Sequence, residues 1–166
     1  ISNSLIADNY FLGNASNNSI GTGIYVYNGS IALINSTVSG NENFAGNYGS
    51  GLFVHNNWDS FDEFSRDVII LNSIIADNIP SANQIHFPTE DYTDYTAMSN
   101  SIFENGSGES WFDAGDGHYD FDPLFADTNY VLSDYSHAIG LGGTSIEDAD
   151  GNDITAPSVD INGDPR

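Results

Sequence analysis

Carboxylates are the chain's main chemical resource, and they are unevenly placed. Of 24 acidic residues, 7 precede position 84 and 17 follow it, against 2 basic residues in the whole chain. Hydrolysis of a glycosidic bond needs two carboxyl groups several ångströms apart across that bond. Asp113, Asp116, Asp120 and Asp122 are groups of that type. Oxygen-rich clusters also suit calcium, and Asp116, Asp120 and Asp122 form one candidate set. Asp148, Asp150 and Asn152 form another, with the first three ligand positions of a calcium loop. Asp153 stands where that loop needs glycine, and Val159 where it needs an acid. An EF-hand is therefore excluded, and an irregular site using Asp148, Asp150 and backbone carbonyls stays open. The competing reading of the acids is solubility, with salt tempering their self-repulsion.

Aromatic side chains are the second resource. Tyr25, Tyr27, Phe53, His55 and His86, with Trp58 in the 56–67 insertion, are spaced to line one outer face. Aromatic faces beside amide and carboxylate groups suit sugar rings, which present C–H faces and hydroxyls together. Stacked aromatics equally stabilise strand pairing without any ligand, so both readings stand. The histidines His55, His86, His118 and His137 are too scattered to propose a zinc site. A net charge of −22 excludes nucleic-acid binding through a basic patch and opposes binding to anionic membranes. No stretch is apolar for long enough to insert into a membrane. With no cysteine, disulfides contribute nothing.

The elements that must carry these residues are repeats. Asn3-Ser-Leu-Ile-Ala-Asp-Asn9 returns as Asn35-Ser-Thr-Val-Ser-Gly-Asn41, as Asn72-Ser-Ile-Ile-Ala-Asp-Asn78 and, more loosely, as Asn100-Ser-Ile-Phe-Glu-Asn-Gly106. Self-similarity at this period marks a solenoid or another array. Between these phrases, Gly23-Ile-Tyr-Val-Tyr-Asn28 matches Gly51-Leu-Phe-Val-His-Asn56 and then Gln84-Ile-His-Phe. Ile24, Leu52 and Ile85 share one column and Val26 and Val54 another, which reads as a strand with alternate residues buried. Leu33 and Ile70 lead into the first phrase, and Val38 and Ile75 follow its asparagine. The odd step from Leu33 to Val38 demands a phase shift. Asn35 supplies it, because asparagine tolerates the left-handed backbone region. Asn3, Asn35 and Asn72 should therefore share a corner and bond one another through their amides.

These residues predict an all-β fold: a right-handed single-stranded parallel β-helix of about four coils plus an irregular acidic C-terminal tail. Residues 1–106 hold the coils; 107–166 hold the last coil and a Gly/Asp-rich C-terminal cap region of the same domain. Residue 1 falls within a repeat, so the chain reads as a fragment. Its open first coil is expected to self-associate end to end, because uncapped solenoids expose apolar surface and strand edges.

The alternating phrases resemble the rungs of bacterial right-handed parallel β-helix proteins of the pectate-lyase-like superfamily. The tail is similar to the C-terminal rungs of large secreted members called choice-of-anchor Q proteins. The matching residues are Asp122-Pro-Leu-Phe125, Tyr130-Val-Leu-Ser133, Ala138-Ile139, Asp150-Gly-Asn152, Ala156-Pro157 and the final Asp160-Ile-Asn-Gly-Asp-Pro-Arg166. The chain departs from the pattern at Ser136-His137-Ala138-Ile139-Gly140, where the family's proline and acid are missing. The resemblance implies a secreted or cell-surface location. It also brings polysaccharide lyases and glycoside hydrolases into view. Lyase chemistry uses Arg or Lys with calcium, and here only Arg66 and Arg166 are available. Gly117-His118 is similar to the Gly-His of polygalacturonases, without the aspartate motifs that accompany it there. The expectation is a non-catalytic glycan-binding or adhesive rod. The alternative is part of a lyase or hydrolase whose active site lies on missing N-terminal coils.

Overall fold

The computed structural model describes residues 1–12, 22–44, 50–55, 67–80, 84–87, 96–160 and 162–165. They are all-β, with strands in parallel sheets and almost no helix. The four Asn-Ser phrases, with His118–Tyr119 added after the last, build one sheet of five parallel strands: Leu5–Ala7, Thr37–Ser39, Ile74–Ala76, Ser101–Phe103 and His118–Tyr119. We call it the phrase sheet. The residues leading into the phrases build a second, of Ile31–Ile34, Val68–Leu71 and Thr96–Ser99. The glycine-led phrase builds a third, the aromatic sheet, of Ile24–Tyr27, Leu52–His55 and Ile85–His86. Neighbouring strands come from consecutive repeats throughout.

Register follows the hydrophobic columns. Leu33 lies beside Ile70 and Ile70 beside Met98; Val38 lies beside Ile75 and Ile75 beside Phe103; Val26 lies beside Val54. All but Val26, which is half-buried, are buried in one apolar cluster shared by the three sheets. Burying each such side chain stabilises by about 1.5–3 kcal/mol. No single repeat holds enough of them to stand alone. Trp111 sits edge-on against Phe103, with ring centroids 5.2 Å apart, and carries this core toward the C-terminal residues.

Two left-handed corners flank each phrase strand. Asn3, Asn35, Asn72 and Asn100 have φ of 47°, 50°, 52° and 50°. Five residues further on, Asp8, Gly40, Asp77 and Asn105 have φ of 56°, 66°, 56° and 59°. Only Gly, Asn and Asp adopt this region readily, which explains why no other residue type occupies either column. The expected phase shift at Asn35 is thus a left-handed turn, repeated at each corner.

Side-chain ladders tie the corners together. Asn35 Nδ2 donates to Asn3 Oδ1 (3.3 Å), and Asn72 Nδ2 donates to Asn35 Oδ1 (3.0 Å). The next column is serine. The backbone N–H of Ser36 donates to Ser73 Oγ (3.2 Å), and that of Ser73 to Ser101 Oγ (3.0 Å). Each hydroxyl in turn donates to a carbonyl two residues back, Ser36 to Ile34 and Ser73 to Leu71. Buried backbone polar groups left idle by the turn are satisfied in this way.

Beyond residue 119 the chain returns along the outside of the repeats. Gly143 meets Asn72, Pro157 O accepts from Asn35 Nδ2 (3.4 Å), and Val159 O accepts from Asn3 Nδ2 (3.1 Å). An antiparallel hairpin, Ser145–Glu147 with Asp153–Thr155, lies within this return. On the other corner, Tyr130 Oη donates to Asp8 Oδ1 (2.5 Å). The tail therefore contacts the first repeat at both ends of its phrase strand.

Candidate functional site

The aromatic residues singled out by the sequence come together on the outer face of their sheet. Tyr25 pairs with Phe53 and Phe53 with His86, while Tyr27 pairs with His55. Parallel register places residues of one column on adjacent strands, about 4.8 Å apart. Ring centroids follow at 5.6 Å for Tyr25–Phe53, 5.0 Å for Phe53–His86 and 5.4 Å for Tyr27–His55. Along each strand, Tyr25–Tyr27 and Phe53–His55 are 6.2 Å apart, so five rings form one continuous patch.

Exposure within the patch is graded. Tyr27 is 58 % exposed and Tyr25 41 %, but Phe53 only 7 %. Phe53 occupies an outward register position and is hemmed in by the rings of Tyr25, His55 and His86. It holds the patch together, and the two tyrosines present the surface. Burial pushes the His86 imidazole below its ordinary pKa, which favours the neutral ring. Trp58 lies outside the described residues.

The acidic candidates are placed differently. Asp120 accepts from the backbone N–H of Asn105 (2.7 Å) and of Ser107 (3.0 Å). Partial burial alone would raise its pKa, but hydrogen bonds from Ser107 and Asn105 outweigh that and hold it below the ordinary carboxylate value. Asp122 Oδ1 accepts from Leu124 N–H (2.7 Å), and Asp116 is exposed on a 3₁₀ turn, Ala114–Asp116. Asp148 Oδ1 accepts from the N–H of Asp150 (3.0 Å) and Asn152 (2.8 Å), and Asn152 Nδ2 donates to both carboxylate oxygens. Asp150 lies exposed in the hairpin turn that Asp148 closes. Among the described residues no three His, Cys, Asp or Glu side chains gather closely enough to hold a metal ion.

Much of the tail's acidity has a local structural use. Asp113, Asp122, Asp127, Asp148 and Asp160 each accept a hydrogen bond from the backbone N–H two residues on. That is the aspartate turn, in which the carboxylate replaces a backbone carbonyl. The signal was present in the Asp-x-Gly, Asp-x-Asn and Asp-x-Asp spacings of the tail. Gly117-His118 has a similar explanation. His118 is buried; its Nδ1 accepts from Asp113 N–H (2.9 Å), which leaves Nε2–H to donate to Met98 O (2.9 Å). Both ring nitrogens are spent on backbone, and the imidazole is part of the core.

A second asparagine ladder escaped the reading of the residues. Asn9 Nδ2 donates to Asn41 Oδ1 (2.8 Å), and Asn41 Nδ2 to Asn78 Oδ1 (2.8 Å). Asn78 Nδ2 then donates to Gln84 Oε1 (2.6 Å). Its signal was the asparagine that closes each of the first three phrases. No protein-family profile, curated protein or solved structure matches the chain.

Proposed function

We propose that the chain forms coils of a right-handed parallel β-helix and serves as a non-catalytic glycan-binding or adhesive rod, secreted or at a cell surface. The coil reading is supported by in-register parallel pairing of consecutive repeats in three sheets. Right-handedness rests on the strong preference of parallel crossover connections for that hand. The resemblance to secreted members of the pectate-lyase-like superfamily supports the location. The observation that carries the binding reading is the ring patch: Tyr25 and Tyr27 present exposed faces on a sheet whose opposite side is core. Rigid placement lowers the entropy lost on binding.

The ligand best suited to the patch is a neutral polysaccharide, or an acidic one bridged by cations. With −22 on the chain, a bare polyanion is repelled. A glycan array probed with and without calcium tests the reading. Tyr25→Ala with Tyr27→Ala should weaken the best hit at least tenfold at an unchanged melting temperature. Full affinity in that double variant would leave the patch as a stabiliser of strand pairing only.

A further inference from the structure

The tail does not lie flush against the phrase sheet. Between them runs a cleft of about 800 Å³, within the range of small-molecule sites. Its floor is the outward column of the phrase sheet, Thr37, Ile74 and Ile102, adjacent in register on three strands. The asparagine corner borders it, and two tail segments, 140–144 and 155–158, line it from the other side.

Among the described residues the lining contains no acid, base or histidine. In this chain that is a strong selection. The tail between residues 132 and 158 carries Asp134, Glu147, Asp148, Asp150 and Asp153, and every one of them lies outside the cleft. What lines it are amides, hydroxyls and backbone from Asn, Ser, Thr and Gly, alternating with Ile, Leu, Ala and Pro side chains. A charged ligand would find no counter-ion there and would lose its hydration without compensation. A purely apolar one would strip water from the amides and hydroxyls. A ligand with C–H surface and neutral hydroxyls satisfies both.

We propose that this cleft binds a short neutral saccharide, separately from the aromatic patch on the other sheet. The inference is independent of the glycan reading of that patch.

The test is titration of the intact chain with maltotriose, cellotriose and trigalacturonate, followed by calorimetry and backbone NMR. Binding of a neutral trisaccharide should shift the amides of Gly140, Gly142, Gly143 and Thr155, with trigalacturonate leaving them in place. Ala138→Trp fills the cleft from the tail side and should raise the dissociation constant at least tenfold. Thr155→Trp does the same from an exposed position, so misfolding of the first variant leaves the experiment decisive. Tyr25→Ala with Tyr27→Ala should change nothing here. The proposal is overturned if no neutral trisaccharide shifts these amides at millimolar concentration, if trigalacturonate shifts them equally, or if both tryptophan variants bind as the parent does.

Discussion

Asn72 holds the backbone of Gly143 with both ends of its side-chain amide: Nδ2 donates to Gly143 O at 2.8 Å, and Oδ1 accepts Gly143 N–H at 2.7 Å. A neighbouring strand would make the same pair of bonds. The same amide also donates to Asn35 Oδ1, so one residue joins two repeats and the returning tail. Glycine suits this approach, since a Cβ at position 143 would push against the side-chain amide of Asn100.

Asn72→Ala should therefore destabilise on two counts. It forces a non-Asn, non-Gly side chain to φ of 52°, and it strands the Gly143 groups. Together these cost about 2–4 kcal/mol. Asn72→Gly relieves the first and not the second. Denaturation should rank wild type above Asn72→Gly above Asn72→Ala, and hydrogen exchange at Gly143 should accelerate in both variants. Equal stability of all three would show that the corner carries no special load.

Gly40→Ala tests the opposite corner. At φ of 66° the added Cβ would fall 2.0 Å from Tyr130 Oη and 2.7 Å from Asp8 Oδ1. The Tyr130–Asp8 bond cannot survive that intrusion. Limited proteolysis should cut near Tyr130 faster in Gly40→Ala than in Tyr130→Phe, which loses the bond and keeps the packing.

The registers of Leu33 with Ile70, Val38 with Ile75 and Val26 with Val54 were legible in the sequence because apolar columns have no other consistent alignment. The left-handed Asn35 corner was legible because an odd step between buried residues requires one. Phe53 shows where such reading stops: alternation gave its face correctly, but not that rings from three strands crowd around it. The carboxylates show it again. Spacing marks Asp120 and Asp148 as metal candidates because it reveals which oxygens are near, and it conceals which N–H groups bond to them. The cleft along Thr37, Ile74 and Ile102 left no trace in any local pattern, since it depends on where residues a hundred positions later come to rest.

Asn78 is the most enclosed link of the second ladder. Its Nδ2 lies within hydrogen-bonding distance of Val38 O, Ala76 O and Gln84 Oε1, and its side chain is fully buried. Asn78→Ala would take this donor from Val38 O and Ala76 O, at about 1–3 kcal/mol for each group left unsatisfied, while Gln84 Oε1 keeps the Asn78 N–H. The exposed Asn105 of the fourth phrase is a suitable comparison; Asn105→Gly keeps the left-handed corner and should cost far less. Thermal melts of the two variants should separate clearly.

His86 makes stability depend on pH above the carboxylate range. Its folded-state pKa lies below the ordinary 6.5 because burial disfavours the charged ring. The unfolded chain therefore takes up the proton first as pH falls. Stability is fully present above 6.5 and declines as pH drops toward the folded pKa. Unfolding free energies of wild type and His86→Phe, measured across that interval, should differ in slope, with the variant flatter. Parallel curves would show that His86 is not the group responsible.

Asp148 separates the turn reading of the acidic tail from the calcium reading. Hydrogen bonds, first from the Asn152 backbone and then from its side chain, hold this exposed carboxyl below its ordinary pKa. The linkage runs opposite to that of His86: the contribution is present above 3.8 and is lost as pH falls through the lowered folded value. A cation would have to share these oxygens with the N–H groups of Asp150 and Asn152 and with Asn152 Nδ2, donors that the turn already directs at the carboxylate. Calcium titration should consequently leave the amide resonances of Asp148, Asp150 and Asn152 unmoved, and chelation should not alter the pairing of Ile146 with Ile154. Asp148→Ala should open that hairpin with or without calcium. Large calcium-dependent shifts at those three amides, abolished by Asp148→Ala, would reverse the assignment and make the turn a cation site.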